Sequence, residues 1–515
     1  MTPATDPSSD LQTRFDRLQQ RLVPLWEQIG RSDPGSQNIE EANTVVVVPS
    51  MTLDVDDMEF PEQQIYEERF LFMLFLLRQP QIRMIYVTSV PIPAEVIDYY
   101  LSILPSVTID NARRRLALVA PEDASARPLV EKLLDRPRLI AHIRSLVPDL
   151  NKVHLVPYVT TDRERELALA LDIPMYAADP RFFAFGTKSG CRRIFAEEGL
   201  NHPIGYENLD SPQALSAAVA RMRAQKPGIE RVIVKLNEGV SGFGNAQLDL
   251  TRLPEPGSPE ENEALLGRLS ALELELEGAT YDWYMGHFQS KGGIVEELIR
   301  GEIMVSPSAQ MRVSPLGEVE LLSTHDQMLG GPTGQIYLGA RFPANREYGP
   351  LIMGEAEKIG KRLAAEGVVG RFAMDFVTVR KTGGAWEVYA IEINLRKGGT
   401  THPFLTLQYL TDGKYDAETG VFRTALGHPK YYVATDHLKS EAYRALTPAD
   451  VFDLVSNSRL HYDHTSQTGI VLHMISSVAS LGVLGLTAIG DTPEHAESLY
   501  QRFIDVMDRA SAGRG

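Results

Sequence analysis

The sequence predicts an α/β protein built from several domains. Its 515 residues correspond to roughly three to four domains of ~150 residues each. Apolar residues make up 43% and charged residues 23%, as in soluble globular proteins, so a fibrous or disordered chain is excluded. From residue 44 onward, short β-branched runs alternate with longer segments of helical periodicity, which is the pattern of a sheet covered by helices.

The charge balance and the cysteine count narrow the class of protein further. The chain contains 51 Lys and Arg against 68 Asp and Glu, and its net charge of −17 would repel nucleic acid. Cys191 is the only cysteine, which excludes an intrachain disulfide and favours a reducing compartment. The first residues lack the basic segment and apolar run of a secretory signal. We therefore expect a cytoplasmic protein that does not bind nucleic acid.

Two apolar stretches bear on membrane association. Residues 70–77 are flanked by arginines and fall far short of the ~20 residues of a spanning helix, so they predict a buried helix. Residues 469–490 contain a histidine, serines and four glycines, which suit buried strands and turns. We expect no membrane span.

Four parts are predicted along the chain. Residues 1–42 form an N-terminal helical arm, 43–180 an α/β domain, 181–410 a region of glycine-punctuated strands, and 411–515 a small α+β domain. The last part closes with a helix that begins at Pro493 after Thr492.

The second part has the pattern of a doubly wound domain. Parallel strands are predicted at 44–49, 82–90, 115–120 and 153–159, with helices at 61–78, 93–104, 129–147 and 162–171. The first strand is followed by Pro49 and Ser50, where a dinucleotide-binding domain has a glycine-rich turn. The fold is therefore Rossmann-like, but dinucleotide binding does not follow from it.

A predicted hairpin carries the strongest chemical argument. Residues 371–380 and 385–396 are strand-like, and Gly383 with Gly384 suits a two-residue turn between them. Pairing outward from that turn places Asp375 directly opposite Glu392.

The same register assigns the neighbouring side chains to faces. Alternation puts Asn394 on the face of Glu392, while Ile391 and Ile393 point the other way. Opposed carboxylates destabilise a hairpin unless a cation lies between them, and Mg²⁺ prefers such oxygen ligands. The alternative is a solvated face on which Asp375 and Glu392 repel each other weakly.

A glycine-rich loop follows another predicted strand. Residues 231–247 contain a short apolar strand that ends in Lys235 and continues into Gly239, Gly242 and Gly244. Such a loop can turn its N–H groups toward phosphate oxygens while the lysine neutralises their charge. The spacing differs from a Walker A motif, and an ordinary turn explains it as well.

Taken in order, these motifs resemble the ATP-grasp superfamily of carboxylate–amine ligases. The match covers about residues 180–410 and includes Lys188, the strand lysine with its glycine loop, EELIRGE at 296–302, and the strands around Asp375 and Glu392. Flanking stretches at 48–52, 323–343, 394–404 and 469–496 are similar to the peptide ligase of pheganomycin biosynthesis and its relatives. The resemblance implies an ATP-grasp fold, preceded by a Rossmann-like pre-ATP-grasp domain and followed by a small α+β C-terminal domain.

The resemblance also implies nucleotide-binding roles. Lys188 and Lys235 would contact the phosphates of ATP, and residues 239–244 would close over them. The implied ATP-binding residues of that loop and of the adenine and ribose pockets are Gly239, Ser241, Gly242, Gly244, Glu296, Glu297, Ile299 and Glu302. Asp375, Glu392 and Asn394 would hold two Mg²⁺ ions, in agreement with the hairpin register.

Candidate substrate residues complete the prediction. Arg396 is implied to steady the transferred phosphoryl group or the acyl phosphate. Arg312 and Arg341 are candidates for binding the substrate carboxylate or the acyl phosphate, with ordinary surface salt bridges as the alternative for those two. Polar residues of the third region can line the amine-side pocket, although loop packing explains them nearly as well. These substrate candidates are His325, Gln327, Gln335, Tyr337 and Gly399.

The expected activity is ATP-dependent ligation of small-molecule or peptide substrates. An acid would be activated as its acyl phosphate and then joined to an amine, giving ADP and phosphate. A homodimer is an open possibility in this superfamily. The alternatives are a small-molecule kinase that uses the same ATP site, and a non-catalytic ATP-binding regulatory protein.

Overall fold

A computed structural model describes residues 7–31, 43–52, 63–104, 107–239, 242–380 and 383–512. Within these ranges the chain forms three large sheets, one parallel and two antiparallel, together with a small hairpin. Ser241 lies outside the described residues.

The first sheet is parallel, with the strand order β3-β2-β1-β4. Its strands are β1 (Asn43–Val48), β2 (Ile82–Val87), β3 (Leu116–Val119) and β4 (Val153–Pro157), which confirms the four predicted strands. The helices of this region are α1 (Pro7–Gln19), α2 (Leu22–Arg31), α3 (Gln63–Glu68), α4 (Ala94–Ser102), α5 (Ile109–Arg113), α6 (Leu129–Leu134), α7 (Pro137–Ser145) and α8 (Asp162–Leu171).

Two predicted helices differ from the structure. The helix expected over 129–147 is divided into α6 and α7, because Pro137 occupies the first position of α7 and its ring cannot lie inside a continuous helix. The apolar stretch 70–77 is buried as expected, but it belongs to a 3₁₀ segment, Arg69–Arg78. None of the described helices combines the length and apolar character needed to cross a membrane.

The second sheet is antiparallel, with the order β5-β9-β6-β7-β8. Its strands are β5 (Gly205–Leu209), β6 (Arg231–Leu236), β7 (Asn245–Asp249), β8 (Glu273–Leu274) and β9 (Gly293–Glu297). The helices α9 (Lys188–Glu197), α10 (Pro212–Gln225), α11 (Glu261–Arg268) and α12 (Tyr281–Lys291) belong to the same stretch of chain. Apolar side chains of α10, α11 and α12 share one buried core with these strands.

The third sheet has nine strands in the order β10-β14-β11-β12-β13-β18-β20-β19, and β15 pairs with β14. Its strands are β10 (Ile303–Val305), β11 (Pro307–Val313), β12 (Val319–Gly330), β13 (Ile336–Phe342), β14 (Gly370–Arg380), β15 (Trp386–Asn394), β18 (Tyr431–Lys439), β19 (Gly469–His473) and β20 (Val483–Gly490). The hairpin β16 (Lys414–Asp416) and β17 (Val421–Arg423) and the helices α13 (Gly349–Ala365), α14 (Thr401–Thr411), α15 (Pro448–Asn457), α16 (Ser477–Leu481) and α17 (Pro493–Ala512) complete this half.

The C-terminal strands are continuous with this third sheet. β13 pairs with β18 through Ala340 opposite Ala434, so the sheet crosses the domain boundary predicted at residue 411. One buried core also joins the first α/β region to the C-terminal region, and the Tyr100 hydroxyl donates a hydrogen bond of 2.9 Å to the Leu472 carbonyl. The flanking regions are therefore packed onto the central one.

Candidate active site

A cavity of about 480 Å³ lies between the second and third sheets. Residues of the 3₁₀ segment and of β18 close one end of it. The predicted site residues that line it are Lys188, Lys235, Gly239, Gly242, Gly244, Glu296, Glu297, Ile299, Gln327, Gln335, Tyr337, Asp375, Glu392, Asn394, Arg396 and Gly399.

The two opposed carboxylates lie on the floor of this cavity. Asp375 on β14 pairs directly with Glu392 on β15. The side-chain amide of Asn394 donates to Asp375 Oδ2 at 2.9 Å, and that of Gln327 donates to Oδ1 at 2.7 Å. Burial, and after it the charge of Glu392, raises the pKa of Asp375 to about 7.

Asp375 pairs with Glu392 as predicted, but the connection between the two strands differs from the two-residue turn on which that prediction was based. β14 ends at Arg380 and β15 begins at Trp386, so the connection is longer than the expected two-residue turn at Gly383 and Gly384. This longer connection shifts the register by one residue. A β-bulge between Asp375 and Phe376 then shifts it back.

The bulge also corrects the predicted faces of the strand. Ile391 is the extra residue of the bulge, and it lines the cavity together with Glu392 and Asn394. Ile393 is buried in the core on the other side, as expected. Strict alternation fails at Ile391 because two residues of the bulged strand oppose one of its partner.

Two buried lysines line the cavity, one from a helix and one from a strand of the second sheet. Lys188 is the first residue of α9, and its Nζ lies 2.5 Å from Glu392 Oε1. Lys235 on β6 forms an ion pair with Glu296 on β9, and Arg192 contacts the same carboxylate at 3.2 Å. Each lysine is therefore held in place by an acidic partner.

The glycine loop requires its glycine at position 242. Gly242 has φ +86°, and a Cβ there would lie 2.6 Å from the carbonyl oxygen of Gln335. Asn245 adds a hydrogen bond of 2.7 Å from Nδ2 to Gln335 Oε1. The loop therefore packs directly against the segment that precedes β13.

Glu275 holds the segment that precedes β13, although nothing in its sequence context identified it as a site residue. Its side chain is buried and accepts a hydrogen bond of 3.0 Å from the Thr333 backbone N–H. This contact lies 58 residues away in sequence, so no local pattern predicts it.

The expected adenine region is apolar on both sides. Ile233 of β6 and Ile299, which follows β9, contribute apolar side chains next to the second sheet, and Phe376 of β14 contributes one from the third sheet. Glu297 is buried here and pairs with Lys226 at 2.9 Å. Glu302, expected near the ribose, is exposed and is not among the residues that line the cavity.

The three predicted arginines are separated by the fold. Arg396 lines the cavity. Arg312 lies four residues beyond Ser308 on β11, which is ~13 Å along a strand, and it pairs with Glu320 at 2.8 Å. Arg341 pairs with Glu497 on α17 at 3.0 Å and is half exposed. The structure does not bring Arg312 or Arg341 to the cavity.

His325 also lies away from the predicted amine-side pocket. Its ring is buried among Phe342, Phe404 and Tyr432, and its Nε2 is 2.7 Å from the Tyr432 hydroxyl oxygen. The aromatic rings cover this histidine, so its position in the core corrects the expectation. Tyr337 does line the cavity, and Gly399 is required beside it, because a Cβ there would lie 2.4 Å from the ring.

Several lining residues were missed by the sequence reasoning. Ser308, cross-strand neighbour of Asp375, is buried with no hydrogen-bond partner for its hydroxyl. A second group of missed residues comes from the flanking regions and includes Tyr66, Arg69, Tyr158, Asp436 and His437. They stand in unremarkable local sequence, and only the packing of the flanking regions brings them to the site.

The described residues contain no cluster of three or more His, Cys, Asp or Glu side chains suited to a metal ion. The floor of the cavity instead offers the two carboxylates of Asp375 and Glu392 with the amide of Asn394. Such an oxygen ligand set suits Mg²⁺, which takes one or two protein carboxylates and substrate phosphates.

Comparison with known proteins gives matches for the central and C-terminal regions. The sequence model of the family described as IQCH-like, ATP-grasp matches residues 182–270 and 274–418, and that of the PGM1 C-terminal domain matches residues 450–503. The L-propargylglycine–L-glutamate ligase of Streptantibioticus cattleyicolor is 29% identical over 92% of this chain and 95% of its own length. IQ motif-containing protein H of Danio rerio is 24% identical over 62% of this chain and 34% of its own length.

Solved structures share the fold. An N5-carboxyaminoimidazole ribonucleotide synthetase in its ADP complex has a TM-score of 0.51 at 12% identity and covers 91% of this chain and 97% of its own. The biotin carboxylase of Campylobacter jejuni has a TM-score of 0.52 at 12% identity and covers 91% and 92%. The family match over residues 182–270 and 274–418, the ligase among the relatives and the shared fold together support an ATP-dependent carboxylate–amine ligase with an ATP-grasp fold.

Proposed function

We propose that this enzyme joins the carboxylate of one amino acid, or of a peptide-like acid, to the amine of another amino acid or peptide. The relative from Streptantibioticus cattleyicolor carries the names of two amino acids as its substrates, which supports this class. The observation that carries the proposal is the opposed pair Asp375 and Glu392 in one cavity with Lys188 and Lys235.

The first step is the formation of an acyl phosphate. A carboxylate oxygen of the acid attacks the γ-phosphorus of ATP, the bond to the β,γ-bridging oxygen breaks, and ADP leaves. Lys188 and Lys235 bind the phosphate oxygens and neutralise charge that spreads over them. Arg396 binds the phosphoryl group after its transfer, since it lies on the same cavity wall.

Two Mg²⁺ ions would be held by Asp375, Glu392 and Asn394. When bound, Mg²⁺ supplies charge neutralisation to the phosphate oxygens. The raised pKa of Asp375 fits this assignment, because burial and the charge of Glu392 disfavour the ionised form, which a cation bound between the two carboxylates would favour. Glu392 is held by Lys188, and phosphates that attract this lysine would compete with Glu392 for it.

No protein nucleophile is required. Cys191 is buried behind Ile393, whose backbone N–H donates to its sulfur at 3.2 Å, and burial raises the pKa of its thiol to about 12. The acid itself is the activated group, and the enzyme positions the reactants and neutralises charge.

The test is ADP and phosphate release with pools of amino acids and short peptides, combined with mass spectrometry. Equal ADP and phosphate, with a product equal to the two substrates minus water, is expected. Asp375→Ala and Glu392→Ala should abolish both signals, whereas Asp505→Asn, an exposed change on α17, should not. ADP with a phosphorylated product would favour a kinase, and nucleotide binding without turnover would favour a regulatory protein.

A further inference from the structure

One end of the cavity is built by residues from outside the central region. Arg69, from the 3₁₀ segment, and Asp436, from β18, form an ion pair of 2.5 Å with both side chains buried. A buried ion pair is stabilised only when its remaining polar atoms are also well placed. The cavity wall therefore contains a fixed positive and a fixed negative group side by side.

The guanidinium of Arg69 is positioned by aromatic residues. It donates a hydrogen bond of 2.8 Å to the Tyr158 hydroxyl and lies over the rings of Tyr66 and Tyr158, at 4.8 and 5.1 Å from their centres. These contacts hold a planar cation in one orientation, and such a cation binds a carboxylate through two hydrogen bonds.

Asp436 orients the neighbouring imidazole of His437. Its Oδ1 lies 2.5 Å from His437 Nδ1. Burial alone would raise the pKa of Asp436, but His437 and Arg69 outweigh it and hold this pKa below its usual range. Because the ionised carboxylate accepts the hydrogen of Nδ1, Nε2 is the ring nitrogen that can exchange a proton with a substrate.

This end is connected to the carboxylate pair through Tyr337. The ring of Tyr337 lies 6.4 Å from that of His437, centre to centre, and packs against Gly399. Burial raises the pKa of Tyr337, and the negative charges of Asp436 and Asp375 contribute to the increase. Tyr337 is thus within electrostatic reach of both ends of the cavity.

We propose that Arg69, Asp436 and His437 form the subsite for the amine substrate, an α-amino acid, and that His437 Nε2 accepts a proton from its ammonium group. The assignment rests on the proposed function and adds the place and the recognition of the second substrate. Arg69 binds the carboxylate of the amino acid, while Asp436 and His437 receive its ammonium group.

The proton balance of this step is complete. The ammonium nitrogen gives one proton to His437 and becomes nucleophilic, then forms the C–N bond with the acyl carbon of the acyl phosphate. The bond between that carbon and the phosphate oxygen breaks, and the departing phosphate takes the second proton from nitrogen. General-base catalysis of this kind contributes ~10²–10⁴-fold to the rate.

The main test compares His437→Gln with His495→Gln. His495 is a matched control, since its Nδ1 lies 3.9 Å from Asp491 on an exposed surface outside the cavity. The acyl phosphate is trapped with hydroxylamine in the absence of an amine substrate, and amide formation is measured with a mixture of the common L-amino acids. We expect His437→Gln to retain trapping within about twofold and to lower amide formation at pH 7 by about a hundredfold.

The pH profile separates proton acceptance from structural support. The titratable and charged groups packed around this end are Asp436 of β18, Arg69 of the 3₁₀ segment, Tyr66 of α3, Tyr158 after β4, Tyr337 of β13, His402 of α14 and His473 of β19. These groups are common to the wild-type protein and the variant. The defect of His437→Gln should therefore shrink as pH rises and the amine loses its proton in solution.

A second variant tests recognition of the carboxylate. Arg69→Lys retains a positive charge but loses the planar pair of donors, so it should raise the KM for amino acids about tenfold. The substitution should have little effect on the KM for amines that lack a carboxylate. Equal losses of trapping and amide formation in His437→Gln, or an unchanged KM in Arg69→Lys, would overturn the assignment. Absence of hydroxamate with the wild-type protein would overturn the proposed function itself.

Discussion

Asp375 and Glu392 face each other across β14 and β15 at a point where a β-bulge has just changed the register of the two strands. The bulge places Ile391, Glu392 and Asn394 along the cavity, while Ile393 enters the core. The site is therefore a local departure from regular strand alternation.

The repulsion within this pair predicts opposite effects on activity and stability. Asp375→Asn should lower ADP release ~10²–10³-fold, because the variant loses one carboxylate of the pair that lines the cavity. The same change should raise the Tm of the metal-free protein at pH 8, since the pKa of Asp375 is raised to about 7 and its ionised form is unfavourable in the folded state. A lower Tm at pH 8 would contradict this account, which calorimetry at pH 5 and pH 8 can test.

The glycine loop predicts a substitution with a strong local effect. Gly242→Ala introduces a Cβ 2.6 Å from the Gln335 carbonyl oxygen at a φ of +86°, so it should displace the loop and raise the KM for ATP at least about tenfold. Gly267→Ala on α11 is the control, because its Cβ would meet no atom within 4 Å and alanine favours a helix. Similar ATP kinetics for both variants would show that the loop does not close on the nucleotide.

Substitution of Arg396 in the cavity and of Arg341 on the surface should affect activity differently. Arg396→Ala should lower kcat/KM by ~10²-fold, because a cation on the cavity wall is lost. Arg341→Ala should change kcat/KM less than about twofold and the unfolding free energy by ~0–1 kcal/mol, since its pair with Glu497 is exposed. Steady-state kinetics and denaturant titration measure the two effects. A large kinetic defect in Arg341→Ala would contradict this account and show that Arg341 contributes to the active site.

The buried His325 predicts loss of stability in acid. Burial lowers the pKa of His325 from 6.5 to about 3, so the unfolded chain binds its proton between these values while the folded protein does not. Stability therefore falls as pH decreases from 6.5, and His325 accounts for about 2 kcal/mol of this loss at pH 5. His325→Phe should reduce the difference in unfolding free energy between pH 7.5 and pH 5 by that amount. The exposed His461→Gln should leave that difference unchanged.

Local patterns were sufficient for the regular elements and for much of the cavity. Thr161 caps α8 and Glu164 completes its capping box, so the helix begins at its predicted residue, 162; it ends at the predicted residue 171, before Asp172 in the left-handed conformation. The β-branched runs of the first region became parallel strands, because nearly continuous apolar residues suit a sheet covered on both faces. The hairpin pattern likewise indicated the paired carboxylates, and the strand that continues into a glycine loop indicated Lys235, whereas Lys188 was implied by the family resemblance.

Long-range packing decided the remainder. Arg69 and Asp436 are 367 residues apart and meet only because the first and last regions pack against each other at one end of the cavity. Arg312 and His325 carry chemistry that suits the site, yet an ion pair on β11 and a cluster of aromatic rings hold them elsewhere. The sequence by itself determined the elements, their order and the carboxylate pair of the cavity, since these depend on neighbours along the chain. Only the tertiary structure decided which flanking residues complete the site, because that depends on which surfaces are buried together.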